Sequence, residues 1–112
     1  MQGMNVRLYI WQRSTAALLL PLIIVHIAVI FYATRHGMTA ADILSRTRGS
    51  FAWAWYYGLF VAIVSIHASI GVRNVLVEWS PIMQRRAGRF AIGFGLLLFV
   101  LGVRAVAAVV LS

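Results

Sequence analysis

His67, Gly71 and Arg73 are the residues of this chain best able to do chemistry, and they fall within one short stretch. They close an uncharged run of 24 residues, from Gly49 to Val72. An imidazole in such a run is costly in lipid unless something occupies it. Gly71, at i+4, shares the histidine's helical face and removes a side chain where a flat macrocycle would need room. Arg73 lies about 9 Å further along the axis, a height at which a guanidinium can pair with a carboxylate. Those three types at that spacing point to ligation of haem iron by His67, with Arg73 toward a propionate. The competing reading is an imidazole hydrogen-bonded to a neighbouring helix or a buried water.

His26 is the second imidazole in an apolar run. By helical rise it lies roughly 20 Å from Arg13, whereas His67 lies about 9 Å from Arg73. At such different depths the two cannot grip opposite faces of one iron. Either each ligates its own haem with help from another chain, or His26 is a hydrogen-bonding residue. His36, between Arg35 and Gly37, reads as surface. Arg13, with Ser14 and Thr15 beside it, reads either as a snorkelling anchor with a hydroxyl helix cap or as a polar pocket able to donate to a carbonyl or propionate. Glu78-Trp79 reads first as a solvated acid beside an interfacial tryptophan. Arg104 reads as a residue snorkelling from the last turns.

The elements that must position these groups follow from composition. Of 112 residues 62% are hydrophobic, and the mean hydropathy is +0.91. That is too apolar for a soluble domain of this size and fits a small integral membrane protein. The formal charge of +8 comes from ten arginines against Asp42 and Glu78. Because the arginines lie between apolar runs, they read as topology signal and contact with anionic lipid or cofactor groups, and no nucleic-acid partner is expected. The absence of cysteine removes thiolate-held iron–sulfur clusters, thioether-linked haem and disulfides. Residues 1–9 are polar with no cleavable signal pattern.

Three membrane spans are expected, at about 14–33, 51–73 and 90–111, in a single integral membrane domain. Between Arg13 and Arg35 there are 21 uncharged positions, enough for one crossing. Pro21 should loosen or kink that helix near His26. Thr39-Ala40-Ala41-Asp42 has the form of a capping box and predicts a short surface helix with its apolar side toward lipid. Residues 74–84 are expected to lead out of the second span through the Ser80-Pro81 turn signal. Gly93, Gly95 and Gly102 would let a neighbouring helix approach closely. Arg7, Arg13, Arg73, Arg85, Arg86 and Arg89 fall on one side, and Arg35, Arg46 and Arg48 on the other. The positive-inside rule then puts the N-terminus in the cytoplasm and the C-terminus outside.

Gln12-Arg13-Ser14-Thr15-Ala16, followed by the run from His67 to Trp79 (HASIGVRNVLVEW), resembles the small membrane-anchor subunits of succinate dehydrogenases and fumarate reductases. The resemblance covers essentially the whole chain, and its strong part is His-x-x-x-Gly. It implies an all-α membrane protein, three helices within a multi-subunit haem-binding bundle. It further implies that His67 is an axial ligand of haem b and that Arg13 lies near a quinone and a haem propionate. An acid–aromatic pair, usually Asp-Tyr, follows the histidine stretch in one of that family's two anchors; here it is Glu78-Trp79, and an indole N–H can donate but cannot act as a phenolic acid. Trp11-Gln12, with His26 fourteen residues after Gln12, is similar to the two-haem branch, where a first-helix histidine ligates the haem further from the cytoplasm. The implied quinone contacts are Arg13, Ser14, Glu78 and Trp79. The implied partners are a second hydrophobic anchor, an iron–sulfur subunit, a flavoprotein subunit and membrane lipid. The implied cofactors are one or two haems b, with ubiquinone or menaquinone as substrate, in a bacterial-type inner membrane. The chain would not be catalytic alone. The alternatives are a haem-free helical anchor and a b-type cytochrome anchor of another dehydrogenase.

Overall fold

A computed structural model describes residues 6–79 and 85–111. Among them the chain is all helix and turn: α1 (Val6–Arg35), α2 (Ala40–Thr47), α3 (Phe51–Trp79) and α4 (Ala87–Val110). α1, α3 and α4 are each long and apolar enough to cross a membrane. The molecule is 49 Å long and 23 by 22 Å across, so its long axis matches a bilayer with its headgroup layers.

α3 is the central helix, packed most extensively against α4 and less so against α1. Both pairs are antiparallel, as the contacts of Thr15 with His67 and Tyr56 with Leu22 show on one side. On the other, Ser69 Oγ donates to the Ala91 carbonyl (2.7 Å). The α3–α4 seam is close because side chains are missing there. A Cβ added to Gly95 would lie 3.0 Å from Ser69 Cβ, and one added to Gly102 would overlap Val61. Small residues at a helix crossing are how membrane helices gain packing when lipid is as apolar as leucine. Gly93 does not share in this: nothing lies within 4 Å of its missing side chain.

The helices run past the expected spans. α1 starts at Val6 rather than near Ser14, so neither Ser14 nor Thr15 caps it. α3 continues to Trp79, because Val75, Leu76 and Val77 offer the backbone no reason to leave the helix after Arg73. The Ser80-Pro81 turn lies outside the described residues. α1 also stays helical through Pro21.

α2 is set by its own sequence. Thr39 N–H donates to the Asp42 carboxylate (2.9 Å) and Asp42 N–H to Thr39 Oγ1 (3.1 Å), which closes the capping box. The Thr39 backbone bond, then the Thr39 hydroxyl, holds the Asp42 carboxyl below its ordinary value, with the nearby Arg46 adding a smaller pull. The inward side of α2 meets protein rather than lipid alone. Thr47 Oγ1 donates to the Val109 carbonyl (2.6 Å) and Gly49 N–H to the Val110 carbonyl (2.7 Å), so the segment satisfies carbonyls that end α4. Gly49 has φ +69°, a left-handed turn suited to glycine.

This topology groups the arginines. Arg7, Arg13, Arg73, Arg85, Arg86 and Arg89 belong to the end where α1 starts and α3 finishes; Arg35, Arg46 and Arg48 belong to the other. Large apolar side chains remain exposed along every long helix, among them Leu20, Ile27, Phe31, Ile92, Leu96 and Val100. The protein is membrane-embedded, and those faces are available to lipid and to other helices.

Candidate functional site

Thr15 and His67, 52 residues apart in sequence, meet at the α1–α3 crossing. Thr15 Oγ1 lies 3.0 Å from His67 Nδ1, and the threonine is only 3% exposed. The hydroxyl also lies 2.8 Å from the Trp11 carbonyl and 3.0 Å from the Gln12 carbonyl. A hydroxyl has one proton, and carbonyl oxygens can only accept it. Where the helix backbone takes that proton, Oγ1 faces the ring as an acceptor and His67 Nδ1 is the N–H. The other nitrogen, Nε2, then carries the lone pair. It has no hydrogen-bond partner among the described residues.

His67 also lines a groove of about 440 Å³ with Ala68, Gly71, Val72, Val75 and Phe94. The walls are apolar and the groove opens outward from the α3–α4 pair. Gly71 contributes to it, yet its missing Cβ would point to Gln12 Nε2 at 3.8 Å, ordinary contact distance. The absent side chain at position 71 therefore serves the approach of α1 as well as the groove. One imidazole whose Nδ1 faces a hydroxyl, beside an apolar open-sided groove, is a nitrogen donor that would fit haem iron. Arg73 is half-buried one and a half turns beyond His67.

His26 is placed quite differently. Its ring packs edge-on against Tyr57 (5.7 Å) and Phe60 (5.6 Å), and its Nδ1 lies 3.4 Å from the Tyr57 hydroxyl. Tyr57 and His67 stand ten residues apart on α3, so the two histidines are separated by roughly 15 Å along the bundle. They therefore stand at different depths in the bundle. His26 lines a pocket of about 530 Å³ enclosed by α1, α2 and the start of α3, with Val29, Met38, Arg46, Trp53 and Tyr57.

The other expected residues divide into two levels. Arg13 is exposed and sits over the Tyr9 ring at 5.7 Å, with Ser14 exposed beside it. Glu78 and Trp79 are exposed in the last turn of α3. From the level where Thr15 meets His67, Arg13 is about 3 Å and Glu78 about 16 Å toward the same end. Within this chain the four do not form one cluster. Between those levels, Gln12 Oε1 and Asn74 Oδ1 are buried with no hydrogen-bond partner among the described residues. His36 is exposed, stacked on Tyr32, and Arg104 is exposed on α4. No group of three or more metal-binding side chains occurs among the described residues.

The sequence singles out His67 but offers Thr15 only as a helix cap, Arg46 as a topology arginine and Tyr57 as an interfacial aromatic. A signal for Thr15 was present: a polar β-branched residue just inside an apolar run must place its hydroxyl somewhere. Nothing in the sequence shows that its partner lies on another helix. Set against family models, curated proteins and solved structures, the chain matches none of them significantly.

Proposed function

We propose that the chain is a hydrophobic anchor subunit of a succinate:quinone oxidoreductase, with His67 as an axial ligand of haem b at the cytoplasmic side of the membrane. The observation that carries the reading is the 3.0 Å contact between His67 Nδ1 and Thr15 Oγ1, which, with the hydroxyl's proton on the α1 backbone, leaves Nε2 as a lone-pair donor beside an apolar groove. A metal-ligating histidine commonly donates its other N–H in this way. When bound, haem would supply one-electron transfer. The chain's own residues would hold the imidazole at one tautomer, line the groove with Val72, Val75 and Phe94, and offer Arg73 and Arg13 as propionate partners.

Gln12 Oε1 and Asn74 Oδ1 support a quinone site at the same end, since two buried acceptors without donors suit a ligand that brings O–H groups, as a quinol does. Arg13 and Ser14 lie on the Gln12 side of it, and Glu78-Trp79 further out. The groove is open and offers one imidazole, so a second anchor chain would complete it. Iron–sulfur and flavin subunits would dock on the arginine-rich cytoplasmic end, because a chain without cysteine holds no such cluster. The fixed sidedness of the arginines favours a cytoplasmic N-terminus in an inner membrane. At the outer level the His26 pocket favours a second haem in the same scheme.

Pyridine haemochrome quantitation of the purified complex tests the reading. Wild type should contain haem b, and His67→Ala should lose at least one equivalent. Wild type without haem, or His67→Ala with unchanged content, refutes it and leaves a haem-free membrane anchor.

A further inference from the structure

The face of α4 turned away from α3 carries two residues that the chain's own packing leaves unused. Arg104 is the one charged residue of α4 beyond Arg89. It is exposed and has no hydrogen bond or ion pair with any described residue. Gly95 and Gly102 face α3. Arg104 stands nine residues from Gly95, about two and a half turns, and therefore on the opposite side of the helix. Gly93 shares that side, and the space of its missing side chain is empty to 4 Å. Gly93, Leu97, Val100 and Arg104 are spaced by four, three and four residues, a single stripe along α4. Leu97 and Val100 are each more than half exposed.

Depth makes this arginine costly. Six residues separate it from Val110, so it lies about 9 Å inside the outer end of α4. α2 marks the level of that end, through the bonds of Thr47 and Gly49 to the Val109 and Val110 carbonyls. The Cα–Cβ bond of a helical residue tilts toward the helix N-terminus, which for Arg104 is away from the nearer surface. Snorkelling works against that tilt, and ionisable groups inside a membrane characteristically pair with a group inside the helix bundle.

We propose that this face of α4 docks a membrane-spanning helix of a different polypeptide, one carrying an aspartate or glutamate at the depth of Arg104. A lone polar residue in a helix–helix stripe sets register and partner choice, and a guanidinium–carboxylate pair is among the stronger contacts available for it. Gly93, about three turns away on the same stripe, lets the two backbones close. A second copy of this chain does not fit. A two-fold axis beside α4 would set Arg104 against Arg104, while Asp42 is held by Thr39 and Glu78 lies at the other end of the bundle. A lipid phosphate would satisfy the cation but gives no use to the vacant position at Gly93. The inference holds whether or not His67 ligates haem.

The test places a benzophenone amino acid at Val100 of the full chain in its native membrane and identifies the cross-linked peptide by mass spectrometry. The expected product is a membrane-spanning peptide of another protein with an acidic residue in its apolar run. Arg104→Gln should lower its yield at least fivefold and Arg104→Lys should keep it. Gly93→Leu, which leaves the α3–α4 seam untouched, should lower it as well. Arg104→Glu should abolish the product, and exchanging the partner's acid for arginine should restore it. Cross-links only to lipid or to a second copy, no cross-link at all, or an unchanged yield in Arg104→Gln would each overturn the proposal. His67→Ala should leave the cross-link in place, so failure of the haem b reading and failure of this one are separable.

Discussion

Replacing Thr15 by valine keeps nearly the same shape and removes only the oxygen between His67 and the α1 backbone. In the structure that oxygen lies 3.0 Å from Nδ1 and 2.8 Å from the Trp11 carbonyl, placed to accept from the first and donate to the second. Loss of one such bond typically costs about 1 kcal/mol, and an Nδ1–H left buried without an acceptor costs roughly 1–3 kcal/mol. The ring can avoid that cost by moving its proton to Nε2, which removes the lone pair needed for ligation. Either outcome weakens metal binding, and loss of an outer-shell partner of a ligating histidine usually costs roughly 10- to 100-fold in affinity. A hydrogen-bonded Nδ1–H also makes Nε2 more basic and favours oxidised iron. Losing about 1 kcal/mol of that preference would raise a one-electron midpoint by roughly 40 mV. Haemochrome content and a spectroscopic redox titration of Thr15→Val measure both effects, and Thr15→Ser should recover them. If wild type binds haem while Thr15→Val has the same occupancy and midpoint, the tautomer argument is wrong.

Gly95→Leu should separate α3 from α4, because even a Cβ there would stand 3.0 Å from Ser69 Cβ and 3.1 Å from its hydroxyl. Overpacking of this kind costs about 1–3 kcal/mol, readable as a lower unfolding temperature in detergent, whereas Gly93→Leu should be nearly silent. α2 should loosen in acid. The folded-state value of Asp42 is depressed, so its contribution to the capping box is present above the ordinary carboxyl value of about 4 and is lost as pH falls through the lower folded value. Hydrogen-exchange protection across residues 40–47, taken relative to the intrinsic exchange rate at each pH, should therefore fall at low pH in wild type but show no such step in Asp42→Asn.

The spans were legible because charge spacing sets them: the gaps from Arg13 to Arg35 and from Gly49 to Val72 are long enough to cross lipid and leave few other choices. α2 was legible for a different reason, since Thr39 and Asp42 satisfy each other locally and need no tertiary partner. Ends were less visible. Hydropathy marks where a helix leaves the membrane, not where its hydrogen bonding stops, so α1 and α3 continue past Arg13 and Arg73 into the interface. The same limit applies to Gly71. Its spacing from His67 reads correctly as a shared face, but only the packing shows that Gln12 stands over the missing side chain. Thr15 was the costliest omission, because a contact across 52 residues leaves no local pattern.

The two histidines differ in what surrounds the ring, and that difference orders their chemistry. At His67 a hydroxyl whose own proton is taken dictates which nitrogen is protonated. At His26 the partner is a Tyr57 hydroxyl at 3.4 Å, long enough to weaken the bond, and a phenol can turn to donate or accept. His67 is therefore preorganised in one tautomer, while His26 can take either without breaking another bond of the fold. Under the proposed function the cytoplasmic site would hold its ligand through a fixed donor nitrogen. The outer site would offer instead a ring free to take either tautomer beside an aromatic wall, Trp53 stacked on Tyr57 at 5.6 Å. A single change at Thr15 should then disturb the inner site and leave the outer one intact.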